Sequence, residues 1–331
     1  MMHPKVSVIV PVYKAEKYIE RCCKSLFEQT LDSIEYIFVD DRSPDNSVSL
    51  INKILENYPT RNSSVKIINN DVNRGVAYSR QVGLENSKGE FVIHCDSDDY
   101  VESSMLEEMS GFAEDNNVDI VWTDWYLSMA HSERYMSMPD FHSPEEAIKA
   151  MLSGGMKYNV WNKLVRRSLY VNNSILFPSG YGMGEDLTMI KLFAFAEKVA
   201  PLPKAYYHYN KTNSSAFSQS YSEKHFPELQ HNIEDISDVG VADRSDDQHK
   251  MSTVADDRIY INYDINPLIK YNSEYSQLLE YQFLNNIPLI IADKKVEGKT
   301  ISLTNKNLNE LAYKLSFFDS PHAPGAECSL A

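Results

Sequence analysis

The first hundred residues alternate between two hydrophobic periodicities, and this alternation constrains the fold more strongly than any other feature. Short β-branched apolar runs, beginning with VSVIV at 6–10, recur between longer segments whose apolar residues are spaced as on one helical face. The short runs are typical of strands covered on both sides, and the longer segments are typical of helices with one buried face. Strands that alternate with helices of this length predict an α/β fold: a doubly wound, mostly parallel sheet with helices on both faces.

The same periodicities give the expected positions of the individual elements. Strands are expected at 6–10, 35–41, 65–69 and 90–95, and helices at 15–29, 44–58 and 76–87, the last of them ended by Gly89. Further along, helices are expected at 104–115, 143–154 and 185–198, and strands at 118–127 and 204–210. Ser143, followed three residues later by Glu146, is a capping pattern that begins a helix. The helix at 185–198 is expected to be strongly amphipathic.

Composition divides the chain near residue 215. Residues 1–215 carry the alternating pattern and are predicted to form one domain with two halves that meet at about residue 100. Residues 216–331 contain 18 acidic and 10 basic residues and are predicted to form a mainly helical C-terminal extension. Within this extension, 234–257 has eight acidic and two basic residues and few large apolar ones, which is typical of a linker.

The formal net charge of −15 limits the partners of the chain. Non-specific nucleic-acid binding needs a basic surface, so no nucleic-acid partner is expected. An anionic ligand would need a metal ion or a local basic cluster to be held here. The four cysteines fit neither a disulfide framework nor a zinc site. No run approaches the ~20 apolar residues of a membrane span, and no signal peptide is indicated, so a cytoplasmic protein is expected, with peripheral contact to the inner membrane left open.

Acidic residues follow two of the predicted strands at the point where each strand ends. Asp40 and Asp41 end the second strand, and Asp96, Asp98 and Asp99 follow the fourth in the run FVIHCDSDDYV. Ligands bind at the carboxyl ends of the strands in open parallel sheets, and acidic residues after the second strand commonly bind nucleotide hydroxyls. For the first pair, a helix cap or an Asx turn is the competing interpretation.

The three carboxylates in DSDD repel one another unless a positive group lies among them. Mn²⁺ or Mg²⁺ suits such a cluster, because a hard divalent cation takes carboxylate oxygens together with substrate phosphates. An EF-hand loop is a rival, and it fails at Val101, where the turn requires glycine. A phosphatase with an aspartate nucleophile is a second rival. A solvated helix N-terminus is a third, and it explains one aspartate more easily than three. The run therefore favours a metal site.

Six stretches, in this order, resemble glycosyltransferase family 2, whose members have the GT-A fold. They are VSVIVPVYKAEKYIERCCKSLFEQT, FVDDRSPDNS, NRGVAYSRQVGL, GEFVIHCDSDDYV, VWNKLVRRSLY and GYGMGEDL, and the resemblance extends from residue 5 to about residue 215. Any one stretch is a weak signal, but the ordered set is specific. WNKL, LFPSG and GED together are similar to members that build bacterial surface polysaccharides such as capsules.

The resemblance implies a role for each candidate site residue. On the donor side these are Pro11, Tyr13 and Asp41 around the nucleotide base, Asp40 beside them, Gly75 and Arg80 near the donor, Asp96 at the ribose, Asp98 at the metal and Asp99 in support. Asp98 and Asp96 are the candidate metal ligands. On the acceptor side, Asp186 would be the catalytic base, with Glu185 next to it. Trp161 and Lys163 would shape the acceptor site.

The resemblance also implies a reaction. The donor would be a nucleotide-diphosphate sugar, most simply a UDP-sugar, held by the half of the domain before residue 100. The acceptor would be a glycan or a lipid-linked molecule, held by 101–215. A carboxylate would take the proton from the acceptor hydroxyl, which would displace the diphosphate in line and invert the anomeric centre. Homo-oligomerisation stays open.

Some positions depart from the family pattern. Lys14 follows the first-strand tyrosine where members commonly have asparagine, and Asn210 stands where many have arginine. The missing arginine keeps open a second interpretation, a catalytically inactive subunit that binds nucleotide sugars. A nucleotidyltransferase is a third interpretation, although it would be expected to show a glycine-rich basic loop after strand one. His208 could reach the metal, but a histidine on an aromatic strand is more often a packing or surface residue.

Overall fold

The computed structural model of the protein describes residues 3–152, 155–178 and 184–213. The predicted C-terminal extension and its acidic segment at 234–257 lie outside the described residues. The described part consists of one nine-stranded sheet with α-helices packed around it. None of the helices in this part is long and apolar enough to cross a membrane.

The strands of the sheet include every strand that the periodicity predicts. In chain order they are β1 (Val6–Val12), β2 (Ile34–Asp40), β3 (Val65–Asn69), β4 (Phe91–His94), β5 (Tyr100–Val101), β6 (Ile120–Ser128), β7 (Glu133–Met136), β8 (Lys163–Arg166) and β9 (Val199–Asn210). Their order across the sheet is β3-β2-β1-β4-β8-β6-β9-β5, and β7 pairs with β6. The short strands β5, β7 and β8 were not predicted, because they are too brief to show a period of two.

The first half of the sheet is parallel, as the alternation predicts. β1 pairs with β2 and with β4, and β2 pairs with β3, all in the parallel sense. β1 is buried at every position, which agrees with its continuous apolar run. The registers pair Val12 with Asp40 and Asp40 with Asn69. Three neighbouring strands therefore end at the same edge of the sheet.

The second half of the sheet is mixed. β8 runs antiparallel to both β4 and β6, whereas β9 runs parallel to β6 and antiparallel to β5. The strand predicted at 204–210 is longer than expected, because 199–202 also pair with β6. A parallel half followed by a mixed half, with helices around both, is the GT-A-type architecture that the resemblance implies.

The helices agree with the predicted helices in number and order except for one addition. They are α1 (Ile19–Phe27), α2 (Ser47–Leu55), α3 (Val76–Glu85), α4 (Met105–Asp115), α5 (Pro144–Leu152), α6 (Arg167–Asn172) and α7 (Glu185–Phe195), with a 3₁₀ segment at Pro59–Ser64. α6, a helix of six residues, was not predicted. The capping pattern before α5 is confirmed, since the Glu146 N–H donates to Ser143 Oγ at 3.5 Å.

Two local predictions are wrong. α3 ends at Glu85, not at Gly89. The Gly89 N–H donates to Ser7 Oγ (2.8 Å), and a Cβ at this position would lie 2.5 Å from the backbone nitrogen of Ser7. Glycine is therefore required for a close approach to β1 and not for a helix end. α7 is not strongly amphipathic, because residues 186–190 are buried in succession and the helix is enclosed on nearly all sides.

Arg61 fixes the turn that follows α1, although it lies in the distant 3₁₀ segment. Its buried guanidinium donates to the backbone carbonyls of Phe27, Gln29, Leu31 and Asp32 at 2.6–3.3 Å. The carbonyl of Phe27, in the last turn of α1, has no partner within the helix and must find one elsewhere. Arg61 supplies that partner and also binds three carbonyls of the turn beyond the helix, and it thereby sets the path of the chain into β2.

Candidate functional site

The predicted base-pocket residues lie at the edge where β1 and β2 end. The backbone N–H of Asp41 donates to the carbonyl of Val12 (2.9 Å), which extends the pairing of the two strands by one step. Pro11 lies within β1, which is buried. Tyr13 is the first residue after β1, and its side chain is 44% exposed. An exposed aromatic ring at a strand edge can stack on a planar ligand. The edge thus presents an exposed ring one residue beyond Val12, whose carbonyl accepts from the N–H of the buried Asp41.

The carboxylate of Asp41 organises the loop 70–75. Its Oδ1 accepts from Asn70 Nδ2 (2.9 Å) and from the Arg74 N–H (2.8 Å), and its Oδ2 accepts from the Gly75 N–H (2.8 Å). Gly75 has a φ of +89°, a conformation that favours glycine. Asp41 therefore does not cap α2, which was the competing interpretation. An ionised carboxylate has about four acceptor positions, so capacity for a ligand remains.

Asp40 makes a local turn. Its Oδ1 accepts the backbone N–H of Ser43 at 3.0 Å, which is the Asx-turn contact that competes with a ligand-binding role. Burial raises the pKa of Asp40, and the nearby charge of Asp41 raises it further. Asp40 is thus the neighbour of a predicted base-pocket residue and has a structural contact of its own.

Asp99 differs from the other carboxylates of DSDD because it is fully buried. It accepts hydrogen bonds from the Tyr207 hydroxyl and from the Asn210 N–H, both at 2.7 Å. Burial raises its pKa well above the usual range, and the charges of Asp98 and Asp96 add to the effect. Asp99 therefore ties this run to β9, which agrees with a supporting role.

Asp98 is held by the last residue of β9 and by the segment that follows it. Its carboxylate accepts from Asn213 Nδ2 at 2.7 Å, and its backbone carbonyl accepts from Asn210 Nδ2 at 3.0 Å. Burial raises the pKa of Asp98, and repulsion by Asp96 raises it further. The residue that replaces the common family arginine, Asn210, is therefore a buried amide that shapes this run without adding a positive charge.

Arg80 connects the predicted donor side to the predicted acceptor side. It lies on α3 and is almost completely buried. Its Nη2 donates to Asp96 Oδ1 at 2.9 Å, and its Nη1 donates to Glu185 Oε1. Since Glu185 is the first residue of α7, one guanidinium joins the end of β4 to the beginning of α7.

Asp186 lies in the first turn of α7 and is 7% exposed. Carboxylates in this position offset the positive end of the helix dipole. Tyr158 lies nearby: burial raises the pKa of its hydroxyl, and the charge of Asp186 contributes to the increase. The structure thus places the candidate base in a largely enclosed environment, next to the residue that pairs with Arg80.

Trp161 is buried within an aromatic cluster. Its ring stacks on Tyr207, with 4.3 Å between ring centroids, and on Tyr209 at 5.6 Å, and it meets Trp125 edge to face at 5.2 Å. A ring that has these three aromatic neighbours and is 6% exposed packs the protein instead of presenting a face to a sugar. Trp161 therefore supports the wall on the predicted acceptor side and is not an exposed platform.

Lys163 is also buried, and it holds the loop that precedes it. Its Nζ donates to the carbonyls of Lys157 (2.9 Å) and Asn159 (2.6 Å) and to the side-chain oxygen of Asn162 (3.1 Å). Burial lowers its pKa to about 7. Like Trp161, this residue shapes the acceptor side through the backbone it fixes, and its ammonium group does not face outward.

His208 has partners at both ring nitrogens. Nδ1 lies 2.8 Å from a carboxylate oxygen of Glu133, and Nε2 lies 2.9 Å from one of Glu102. The ring is stacked on Tyr100 and on Tyr126, with 4.3 and 4.8 Å between centroids. Because neither nitrogen is left for a cation, the packing interpretation of this histidine agrees with the structure.

The carboxylates near the sheet edge fit a metal that is shared with a ligand. Within 3–152, 155–178 and 184–213, no three or more His, Cys, Asp or Glu side chains are placed to hold a metal ion by themselves. Mg²⁺ and similar ions bind through one or two carboxylates and complete their coordination with phosphates and water. Burial and the charge of Asp96 raise the pKa of Asp98, so a nearby cation would be needed to favour its ionised form.

Three amides that hold the site together were not predicted as site residues. Asn70 binds Asp41, Asn210 binds the run containing Asp98, and Asn213 binds the carboxylate of Asp98. Asparagines in turns have no periodic signal, and their partners lie far away in the sequence. Asn210 alone was noticeable, as a departure from the family pattern.

Comparison with known proteins agrees with these observations. The model of the family "Glycosyl transferase family 2" matches residues 7–185. An uncharacterized glycosyltransferase of Bacillus subtilis, EpsJ, is 32% identical over 223 residues, which is 65% of this chain and 63% of EpsJ. The poly(ribitol-phosphate) beta-N-acetylglucosaminyltransferase TarS of Staphylococcus aureus is 30% identical over 225 residues, which is 66% of this chain and 37% of TarS.

A solved structure gives the same result for the fold. The crystal structure of S. aureus TarS in complex with UDP-GlcNAc matches with a TM-score of 0.63 and 23% sequence identity, and covers 86% of this chain and 82% of that one. This match confirms the predicted GT-A-type fold. The matched region spans less than two thirds of the length of EpsJ and of TarS. The chain belongs to glycosyltransferase family 2.

Proposed function

We propose that this chain is an inverting, metal-dependent glycosyltransferase. It moves a sugar from a nucleotide-diphosphate donor, a UDP-sugar, to a hydroxyl of a glycan or lipid-linked acceptor in the synthesis of a bacterial polysaccharide. The observation that carries the proposal is the link through Arg80, which joins Asp96 at the end of β4 to Glu185, the neighbour of Asp186. This link supports the assignment of the donor carboxylates and the candidate base to one connected site.

The donor half of the proposal is supported by the edge formed by β1 and β2. Tyr13 would stack on the base, and the remaining acceptor capacity of Asp41 would receive a hydrogen bond from it. Asp96 would accept from a ribose hydroxyl. The related TarS structure holds UDP-GlcNAc, which favours a uridine nucleotide among the donors to be tested.

Asp98, together with Asp96, would hold Mn²⁺ or Mg²⁺. The ion, when bound, offsets the negative charge that develops on the departing diphosphate. In a chain of net charge −15, the carboxylates near the diphosphate would otherwise repel it. Asp99, Asn210 and Asn213 contribute by holding the aspartate run in position.

Asp186 would take the proton from the acceptor hydroxyl. A hydroxyl is a weak nucleophile until a positioned base removes its proton, and the largely enclosed position of Asp186 limits competition from water. The deprotonated oxygen would attack the anomeric carbon from the side opposite the diphosphate. This single displacement inverts the anomeric centre, so an α-linked donor sugar becomes β-linked in the product.

A thermal-shift panel of UDP-, GDP- and dTDP-sugars with Mn²⁺ tests the proposal. A true donor stabilises the folded state, because a ligand that binds only the folded chain shifts the unfolding equilibrium. We expect a rise in Tm with a UDP-sugar that disappears when EDTA is added. Hydrolysis of the stabilising donor then separates an active enzyme from an inactive binding subunit, which would show the shift without any turnover. No shift with any member of the panel would contradict the proposal.

A further inference from the structure

Arg80 has an unusual environment for a residue beside an anionic ligand. Its guanidinium is buried and forms ion pairs with Asp96 and Glu185, which belong to opposite sides of the proposed site. Glu185 is 105 residues away in the sequence, so the contact is a product of the fold and not of local spacing. One positive charge is therefore shared between two carboxylates.

The groups behind Arg80 add no further charge. Its Nε, both ring nitrogens of His94 and the Tyr170 hydroxyl are buried without hydrogen-bond partners. Burial and the charge of Arg80 lower the pKa of His94 well below its usual range, so this ring is neutral at neutral pH. Phe177 packs edge to face on His94, with 5.1 Å between ring centroids. Within the described residues, the two carboxylates are thus the charged partners of the guanidinium.

A buried charge that loses one of its two partners forms a stronger ion pair with the partner that remains. Because desolvation makes an unpaired buried charge costly, Arg80 interacts more strongly with whichever carboxylate remains available. Asp96 is also a candidate ligand for the donor and its metal. When Asp96 binds the donor or its metal, the ion pair between Asp96 and Arg80 weakens. The ion pair between Arg80 and Glu185 must then become stronger.

We propose that Arg80 is a positioning residue that couples donor binding to the beginning of α7, and so to Asp186. The inference rests on the proposed function, because it describes how the donor side and the base communicate. Binding of the nucleotide diphosphate engages Asp96, and Arg80 then holds Glu185 and the first turn of α7 more firmly. Such a coupling is reciprocal, so a change at Glu185 must alter nucleotide affinity although Glu185 is predicted for the acceptor side.

The sign of the effect follows from the coupling. In Glu185→Gln, Asp96 is the remaining carboxylate of the pair that holds Arg80, so engagement of Asp96 by the donor would leave the buried guanidinium without a charged partner. UDP affinity should therefore decrease. General damage would lower the affinity whether or not residue 80 is arginine, whereas a loss caused by the coupling should shrink when Arg80 is replaced.

Calorimetry with UDP and Mn²⁺ on the full chain tests this inference. We expect Glu185→Gln to bind UDP about fivefold less tightly than the wild type, the lower end of the usual range of coupling between sites. Glu197→Gln, which removes the same charge just beyond the other end of α7, should bind as the wild type does. In an Arg80→Lys background, the loss from Glu185→Gln should shrink, because lysine cannot hold two carboxylates in a planar fork.

Hydrogen exchange gives a reciprocal readout that does not depend on the Arg80 variant folding well. UDP with Mn²⁺ should slow the exchange of the amides of 187–190 at the start of α7 in the wild type, and less so in Glu185→Gln. Equal UDP affinity in Glu185→Gln and Glu197→Gln would overturn the coupling while leaving the proposed function intact. A wild-type chain that does not bind UDP in the presence of Mn²⁺ would overturn both.

Discussion

Replacing Asp41 by asparagine tests how the base-side edge is built. In the structure, three donors converge on this carboxylate: the side chain of Asn70 and the backbone N–H groups of Arg74 and Gly75. The asparagine oxygen can still accept from two of them, but its NH₂ group would face the Gly75 N–H, and two donors repel each other. We therefore expect one charge-assisted hydrogen bond to be lost in Asp41→Asn.

The magnitude follows from that single bond. A hydrogen bond to a charged group contributes about 1.5–3 kcal/mol, so the free energy of unfolding should fall by about that amount. For a domain of this size, a loss of 2 kcal/mol corresponds to a decrease in Tm of roughly 4–8 °C. Nucleotide affinity should fall by a further ~1–3 kcal/mol if the base donates to the same carboxylate.

Urea unfolding and calorimetric titration with UDP and Mn²⁺ measure the two effects separately. Asp71→Asn is the matched control, because Asp71 lies in the same loop, loses the same charge and is exposed. It should change neither quantity appreciably. Wild-type stability in Asp41→Asn would refute the role of Asp41 in the loop, and wild-type UDP affinity would refute its role in the base pocket.

Two other predictions concern the metal and the acceptor side. Asp98→Ala should lose metal-dependent UDP binding in calorimetry, because the remaining carboxylate cannot hold the cation and the diphosphate together; UDP affinity equal to that of the wild type would contradict this. Lys163 has a folded-state pKa of about 7 and a normal value of 10.5, so between these pH values the unfolded chain binds one more proton. Relative to Lys163→Met, the wild-type free energy of unfolding should therefore rise with pH from 7 to 9, by at most about 1.4 kcal/mol per pH unit. Urea unfolding measures this free energy for both proteins. If the two plots of unfolding free energy against pH were parallel, they would contradict the depressed pKa.

The parallel half of the fold could be predicted from the sequence because its signals are local. The apolar run of β1 and the helical spacing of α1 and α2 each occupy enough residues to show a period. The strands β5, β7 and β8 have two to four residues and show none. Their positions are set by partners elsewhere, as in the pairing of β8 with β4 and β6.

The candidate site likewise contains residues with a local sequence signal and residues whose positions depend on distant partners. Asp41, Asp96 and Asp98 were found because they lie at or just beyond the ends of predicted strands, and parallel strands bring their ends together. The burial of Lys163 and Trp161 could not be read from WNKL, since a lysine is normally exposed and its partners are backbone carbonyls. The ion pair between Arg80 and Glu185 joins two distant motifs, and neither motif specifies the other.

The most direct test of the account is a comparison of wild type with Asp186→Asn. Asparagine keeps the size of the side chain but cannot take a proton, so the fold and the donor affinity measured by calorimetry should survive. Single-turnover transfer from the UDP-sugar that stabilises the wild type should fall by about 10²–10⁴, the usual contribution of a positioned general base. Transfer within a few-fold of the wild-type rate, at unchanged donor affinity, would show that Asp186 only offsets the helix end and that the base lies elsewhere.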